Sequence, residues 1–433
     1  MSPSTFSRRA FLGVGAAAGV SLGLAACSGG SASTSTSKSL TVAQWGDSTR
    51  AGLYEKATKL FTAAHKGTTA KLQYADLNPY LERLATQAAA RKLPDVLWMR
   101  DTHIGRYGSA HALLDLSPYF DKQIDTKTLG AAAIPSGKIA GGVYALPTHY
   151  VGQATLGSKS LLDAKGIDLN SFTHWDDLAA GATELADPSK GIYGVGDPTV
   201  NVTHRHLEAW IRQSGEELFT KGGGVGFTAD TVEAWFEFWD KLRKSKVLPS
   251  ADREVQADSG GSATNFLVTG KAALMMDSSN HLSSLQALTK NPLVMGSIPT
   301  VPNSTDDWWF FPPILISAAA NTKNPELAAA LIGFYCNDVP AAKITLLNQG
   351  APSSDTVRSA IAPALSASDK AFIDQISREQ KNPSRALPIR PEGASQLDTI
   401  LTRTGQQIAY GRQSISAAVA ALMTSAKQAL PEK

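Results

Sequence analysis

The sequence has few cysteines and little excess charge, and each shortage excludes classes of function. Its 433 residues include two cysteines, Cys27 and Cys336, so a cysteine-based metal cluster or a disulfide-rich scaffold is excluded. The formal net charge is +3, and no basic stripe indicates a nucleic acid or another polyanion as partner. Beyond the N-terminus, no apolar stretch reaches the roughly 18 residues of a transmembrane helix.

The sequence also lacks the short motifs of common enzymes. Downstream of residue 26 there is no G-x-S-x-G elbow, no H-E-x-x-H and no glycine-rich phosphate loop. No pair of carboxylates is singled out as acid and base. His204 and His206 form a His-x-His pair, but side chains at i and i+2 diverge on a helix. We therefore predict a protein that is not an enzyme and holds no resident metal or cofactor.

The first 26 residues have the features of an export signal. Ser7 to Leu12 reads S-R-R-A-F-L, similar to the twin-arginine motif, and an uncharged run leads to L-A-A-C at Cys27, which resembles a lipobox. The resemblance implies that residues 1–26 are a Tat lipoprotein signal peptide and that Cys27 is lipidated. The protein would then be anchored to the outer face of the cell membrane. Residues 27–38 are predicted to be a flexible tether.

Alternating patterns predict an α/β fold after the tether. Residues 40–45 and 70–74 alternate as strands do, and residues 94–99 are nearly continuously apolar, as in a parallel strand covered on both faces. Helical periodicity lies between these strands. Ligand sites of such sheets usually lie beyond the carboxyl ends of the strands.

Residues 137–150 combine glycines, a short apolar run and three polar or aromatic residues. The segment predicts a strand that ends at Pro147 and presents Thr148, His149 and Tyr150 at its exit. A buried strand followed by an ordinary proline turn explains the same residues equally well.

Several blocks, in a fixed order, resemble family 1 extracellular solute-binding proteins of ABC transporters, the carbohydrate-type group of maltose-binding protein. The blocks are P-D-V-L-W-M with the residues after it, 137–150, T-H-W-D-D-L at 173–178, F-L-V-T-G-K-A-A-L-M-M-D at 266–277, and G-A-P at 350–352. The resemblance implies a type II periplasmic-binding-protein fold, in which two α/β lobes are joined by three crossings and enclose a ligand cleft. The implied boundaries are 40–145 and 299–348 for lobe 1, and 148–297 and 352–430 for lobe 2.

By the same resemblance, the protein is a monomer that binds a sugar or oligosaccharide. It delivers this ligand to membrane permease subunits and, through them, to an ATPase. Two alternatives stay open. One is the same fold binding a peptide, polyamine or metal chelate through His103, His149 and His281, in which case binding should fall below about pH 6. An exported carbohydrate-active enzyme is the other alternative.

Ligand contacts are expected in loops that border the cleft. On the family pattern, residues 100–103 fall where sugar-contacting side chains lie, although Arg100 and Asp101 could equally form a surface ion pair. One of the adjacent indoles of Trp308 and Trp309 is a candidate platform for a sugar ring, the alternative being a cover for the sheet end. The expected ligand-binding residues are Trp45, Asp47, Tyr80, Asp101, Thr102, His103, His149, Tyr150, Trp210, Asn280, His281, Trp308 and Trp309.

Two groups of residues are expected to play no part in binding. Trp175 and the aromatic residues of the helix at 229–244 have the spacing of a core. Arg385, Arg390 and Glu392 lie in a proline-rich turn from which they could reach the cleft, but they are expected at the surface.

Overall fold

The structure is a computed structural model that describes residues 38–130, 133–200, 205–304, 310–379, 390–391 and 393–430. These residues all belong to one compact unit. The predicted signal peptide, lipidated Cys27 and the tether up to residue 37 lie outside the described residues, as do Trp308, Trp309, Arg385 and Glu392.

The strands follow the predicted order at the start of the chain and become irregular later. The described strands are β1 Lys38–Trp45, β2 Thr68–Ala75, β3 Val96–Arg100, β4 Lys138–Ile139, β5 Gly142–Val143, β6 Leu146–Ser158, β7 Tyr193–Val195, β8 Ala272–Ser278, β9 Leu293–Gly296, β10 Phe310–Ala318 and β11 Ala351–Pro352.

Helices outnumber strands among the described residues. They are α1 Ser48–Ala64, α2 Leu77–Ala89, α3 Asp101–Ser109, α4 Lys159–Lys165, α5 Trp175–Leu185, α6 Arg205–Gln213, α7 Ala229–Lys244, α8 Ala251–Ser259, α9 His281–Gln286, α10 Pro325–Asn337, α11 Val339–Thr345, α12 Asp355–Ile361, α13 Ala367–Glu379, α14 Ala394–Ala409 and α15 Ile415–Ala429.

A mixed sheet runs through the molecule in the order β2-β1-β3-β10-β6-β8-β7. β1 pairs in parallel with both β2 and β3, as predicted from the β-α-β-α-β pattern. β10 then pairs antiparallel with β3 on one side and β6 on the other. The carboxyl end of β3 is therefore separated from β6 by the single strand β10.

β6 differs from the strand predicted around Pro147. It begins at Leu146, continues through Pro147 to Ser158 and is buried along its whole length. Proline is tolerated because its position pairs with Leu315 beside a register shift in β10, where the ladder is already interrupted. Thr148, His149 and Tyr150 therefore lie inside a central strand rather than at its exit.

The apolar side chains form two large cores. Leu146 of β6 packs in one of them and Val151 of β6 packs in the other. One core contains Trp98, Leu146 and Leu315, and we call the part of the chain packed around it the first lobe. The other contains Trp175 and Trp239, and the part packed around it is the second lobe. The prediction of a core role for Trp175 and the aromatic helix α7 is confirmed, because Trp175 is 3% exposed and Trp239 is fully buried.

Helix α5 begins with a capping arrangement close to the one its sequence indicates. The Asp177 carboxylate accepts hydrogen bonds from the backbone of His174 (2.8 Å) and from the Thr173 hydroxyl (2.9 Å). His174 is the N-cap residue, and Asp177, three residues on, closes the capping box.

In the part of the chain that the structure describes, no helix is both long and apolar enough to cross a bilayer.

Candidate functional site

The first lobe meets β6 at the carboxyl end of β3. Ile314 of β10 pairs with Arg100 on one side and with His149 of β6 on the other. Asp101, which begins α3 immediately after β3, therefore lies close to the central strand. The structure thus brings together two segments that the sequence analysis assigned to the cleft.

A buried charged bridge joins Asp101 to the second lobe. The Arg205 guanidinium donates to the Asp101 carboxylate at 2.5 Å, and Arg390 donates to the same oxygen, Oδ2, at 3.1 Å. Glu208 accepts from Arg205 at 3.1 Å and also from Arg390. The Asp101 side chain is 14% exposed and that of Glu208 is 3% exposed, so water screens these charges weakly.

The charges in this bridge hold one another ionised. Burial alone would raise the pKa of Asp101, but Arg205 and Arg390 lower it below its usual value. Burial alone would lower the pKa of Arg390, and Glu208 and Asp101 raise it instead. Asp101 is therefore a carboxylate and Arg390 a cation throughout the physiological pH range.

A set of buried polar atoms on elements of both lobes and on β6 has no hydrogen-bond partner among the described residues. A buried polar atom without a partner costs about 1–3 kcal/mol, so these atoms are available to a ligand or to water. They are both side-chain amide atoms of Gln44, Oδ1 of Asp101, Nδ1 of His149, Oε1 of Gln153, both ring nitrogens of His206 and Oδ1 of Asn280.

These atoms come from both lobes and from the strand between them. Gln44 is fully buried in β1, and His206 is fully buried in α6 beside Arg205. Asn280 follows Ser279, whose hydroxyl accepts from the backbone of Gly152 in β6 at 3.0 Å. Of these residues, Asp101 and His149 lie where β3, β10 and β6 meet.

The predicted residues at the end of β1 and on α2 serve the first core and α1. Trp45 is 9% exposed, and its ring lies 5.8 Å from that of Tyr80. Tyr80 is fully buried, and its hydroxyl donates to the carbonyls of Trp98 (2.7 Å) and Ala43 (3.1 Å). Asp47 caps α1 by accepting from the backbone of Arg50 at 2.8 Å. Tyr80 and Asp47 are therefore occupied by the fold, and Trp45 keeps a small exposed edge.

The predicted loop after β3 is the first turn of helix α3. The Thr102 hydroxyl and Nδ1 of His103 are 2.8 Å apart, and both side chains remain partly exposed beside Asp101. Burial, followed by the charge of Arg100, lowers the pKa of His103. Asp101 pairs with arginines of the other lobe, so the alternative of a surface pair with Arg100 is wrong.

His149 and Tyr150 point into different surroundings because they are neighbours on a strand. His149 is 5% exposed, and burial, followed by the charge of Arg50, lowers its pKa to about 3. Tyr150 is fully buried in a small core with Val357 and Phe372. Tyr150 therefore packs in this core, where a ligand contact was predicted.

Trp210 was expected at the cleft, but it lies in the aromatic core of the second lobe. Its ring is 5.5 Å from Trp175 and 5.5 Å from Trp235, and its indole N–H donates to the Thr231 carbonyl at 3.2 Å. Positions two apart on a helix differ by about 200° in direction. Because Glu208 faces the charged bridge, Trp210 faces away from it.

His281 lies at the start of α9 with its side chain 52% exposed. Its Nδ1 is 2.8 Å from the carboxylate of Asp277, which raises its pKa. Asn280, the residue before it, is partly buried.

The sequence analysis missed the second-lobe members of the charged bridge. Arg390 was expected at the surface but is 5% exposed and bonded to two carboxylates. The only local signal was the i,i+3 spacing of Arg205 and Glu208, which favours an ion pair on a helix. That spacing does not reveal a partner in the other lobe.

Among the described residues no group of three His, Cys, Asp or Glu side chains is arranged to hold a metal ion. Burial raises the pKa of Cys336 to about 12, which makes a thiolate ligand or nucleophile unfavourable there.

Comparison with known families identifies the fold. Residues 56–372 match the family of bacterial extracellular solute-binding proteins. The chain belongs to this family. The resemblance seen in the sequence blocks, the two-lobed α/β fold and export from the cytoplasm are thereby confirmed.

Solved structures of solute-binding proteins are similar over nearly the whole chain. A family 1 protein from Alicyclobacillus acidocaldarius is 25% identical, with a TM-score of 0.75, over 90% of this chain and 98% of that chain. The GacH receptor of Streptomyces glaucescens, solved unliganded and with acarbose, is 17% identical, with a TM-score of 0.72, over 91% and 98%. An ABC substrate-binding protein from Listeria monocytogenes, solved with cycloalternan, is 19% identical, with a TM-score of 0.73, over 90% and 98%. The last two show similarity of fold alone.

Proposed function

We propose that this solute-binding protein binds a sugar or oligosaccharide between its lobes and delivers it to the permease subunits of an ABC importer. The observation that carries the proposal is the set of buried polar atoms without partners in the two lobes and in β6, contributed by Gln44, Asp101, His149, His206 and Asn280. A sugar hydroxyl both donates and accepts a hydrogen bond, so it can satisfy amide, imidazole and carboxylate groups alike. The ligands of acarbose- and cycloalternan-bound neighbours agree with this choice.

The proposed ligand set differs from the one expected from the sequence. We retain Trp45, Asp101, Thr102, His103, His149, Asn280, His281, Trp308 and Trp309, and we add Gln44 and His206. Asp47, Tyr80, Tyr150 and Trp210 are left out because the fold already uses or covers them.

The proposed lobe boundaries remain those of the sequence analysis. Core membership supports most of them, since Leu40 and Leu331 pack in the first core while Leu274 and Leu422 pack in the second. Val301 is the exception, because it packs against the second core. Two lobes that close by a hinge would cover the ligand and present one surface to the permease. We propose that the protein acts as a monomer.

A ligand screen tests the proposal. Residues 37–433 would be screened by thermal shift against neutral mono- and oligosaccharides, oligopeptides, polyamines and metal chelates. A saccharide well above its Kd should raise the Tm by a few degrees. Stabilisation by peptides or chelates alone would reject the sugar proposal, and so would the absence of any saccharide effect.

Trp308→Ala or Trp309→Ala should weaken saccharide binding by about tenfold or more if one indole stacks on a sugar ring. Isothermal titration of each variant with the saccharide found in the screen measures the loss. Trp210→Phe is the matched control, because its ring lies in the core and its affinity should equal that of the wild type. Unchanged saccharide affinity in both alanine variants would show that neither indole stacks on a sugar ring.

We also propose that Cys27 carries a lipid anchor that keeps the protein beside its transporter and raises its local concentration there. Cys27→Ser should release the protein from the membrane fraction into the medium or periplasm. Cys336→Ser is the control and should stay in the membrane fraction. Continued detergent-dependent extraction of the Cys27→Ser variant would contradict lipidation.

A further inference from the structure

The members of the charged bridge belong to different lobes. Asp101 starts α3, and Ile104 of the same helix packs in the first core. Arg205 and Glu208 lie on α6. Arg390 lies four residues before α14, and its guanidinium is 5.4 Å from the ring of Phe219, which packs in the second core. Both helices pack in the second core. Asp101 is thus the first-lobe member of a bridge whose other described members belong to the second lobe.

Separation of the lobes would affect these charges unequally. The contacts of Arg205 and Arg390 with Glu208 lie within the second lobe and would persist. The contacts of both arginines with Asp101 cross between the lobes and would break. Asp101 is therefore the partner that both arginines would lose when the lobes separate.

The geometry around Asp101 is that of a bound carboxylate. Two guanidinium groups converge on one oxygen, at 2.5 and 3.1 Å, in surroundings where both arginine side chains are at most 13% exposed. Planar guanidinium donors match a carboxylate and hold it strongly when water is largely excluded. The same two arginines would accept a carboxylate from any other molecule of suitable size.

We propose that Arg205 and Arg390 form a carboxylate-binding site on the second lobe and that Asp101 of the first lobe fills it as an internal ligand. Two consequences follow. The bridge favours the closed arrangement of the lobes even without a solute. It also denies these arginines to acidic solutes, so uncharged solutes are preferred at the lobe junction.

The first measurement is the distance between the lobes in the absence of solute. Spin labels at Glu55→Cys in α1 and Lys244→Cys in α7 report it by pulsed electron resonance, because both positions are exposed and Cys336 is buried. We expect Asp101→Ala to increase the population of long distances about tenfold. Asp101→Asn, which keeps the shape and removes the charge, should act in the same direction and serves if the alanine variant does not fold.

The second measurement asks whether the vacated arginines bind a carboxylate. Sodium galacturonate should raise the Tm of Asp101→Ala by several degrees relative to equal sodium chloride, and it should leave the wild type unchanged. The control is Asp163→Ala, which removes an aspartate paired with Lys159 at 2.6 Å within one exposed helix. It should change neither the distances nor the response to galacturonate.

Identical distance distributions in the wild type and in both Asp101 variants would overturn the proposal, and so would an equal galacturonate shift in wild type and Asp101→Ala. Neither measurement requires the natural solute. An open Asp101→Ala protein together with no saccharide hit would therefore keep this inference and reject the proposed sugar binding.

Discussion

Replacing Gly137 by alanine should destabilise the fold by about 3 kcal/mol. A Cβ atom at this position would lie 1.9 Å from the carbonyl oxygen of Ala145 and 2.7 Å from its carbonyl carbon. Both are backbone atoms of the segment that leads into β6, and the Tyr144 N–H donates to the Gly137 carbonyl at 2.9 Å. Relief of the clash therefore requires the entry to the central strand to move. Urea unfolding of residues 37–433 would show the loss as a lower midpoint.

Gly52→Ala is the matched control for this prediction. Gly52 lies inside helix α1, and a Cβ there meets nothing within 4 Å. Because alanine is the better helix former, this substitution should stabilise the protein by about 0.5–1 kcal/mol. Equal unfolding midpoints for the two variants would show that the approach of Gly137 to Ala145 does not constrain the fold.

Stability should fall as the pH is lowered from about 6.5 to 4, because two buried histidines stay neutral in the folded protein. Burial, followed by the charge of Arg50, lowers the pKa of His149 to about 3. Burial lowers the pKa of His206 to about 4, although Asp277 acts in the opposite direction. In the unfolded chain both titrate near pH 6.5. Between the folded-state and unfolded-state pKa values, each histidine binds a proton in the unfolded chain but not in the folded protein. Each histidine therefore lowers the free energy of unfolding by up to about 1.4 kcal/mol for each pH unit of acidification.

Thermal unfolding of the wild type, His149→Gln and His206→Gln between pH 7.5 and 4.5 measures this effect. Each glutamine variant should lose less stability with acid than the wild type, because glutamine does not titrate. His281 opposes the trend, since Asp277 raises its pKa and its contribution is present below pH 6.5 and lost at higher pH. His281 is half exposed, so its effect should be the smaller one. Parallel curves for all three proteins would show that neither buried histidine is responsible.

The pH dependence of ligand affinity distinguishes saccharide binding from binding of a peptide, polyamine or metal chelate through histidines. Burial lowers the pKa of His103, and it lowers that of His149 to about 3, so the His149 imidazole does not become charged near pH 6. Saccharide affinity of the folded protein should therefore change little between pH 7.5 and 5.5. A steep loss of affinity near pH 6 would favour the histidine-dependent alternative instead.

Local sequence patterns predicted secondary structure correctly where the pattern of apolar residues matches the period of a strand or a helix. Alternation predicted β1 and β2, the continuous apolar run predicted β3, and the 3.6-residue spacing predicted the buried face of α7, with Trp235 and Trp239 inside. The prediction that the strand ends at Pro147 was wrong, because a proline can lie within a central strand where the neighbouring strand changes register. Tyr80 and Trp210 were predicted as ligand contacts because an aromatic residue with a polar atom suits a binding site as well as a core. Only the hydrogen-bond partner seen in the structure distinguishes the two roles.

By itself the sequence determined the family and the two-lobed α/β class through blocks of neighbouring residues, and periodicity located β1, β2, β3 and α7. Only the tertiary structure decided which side chains meet between the lobes. Asp101 is separated by 104 residues from Arg205 and by 289 from Arg390. No short-range pattern encodes such a contact, because it exists only after both lobes have folded and β6 has placed them side by side.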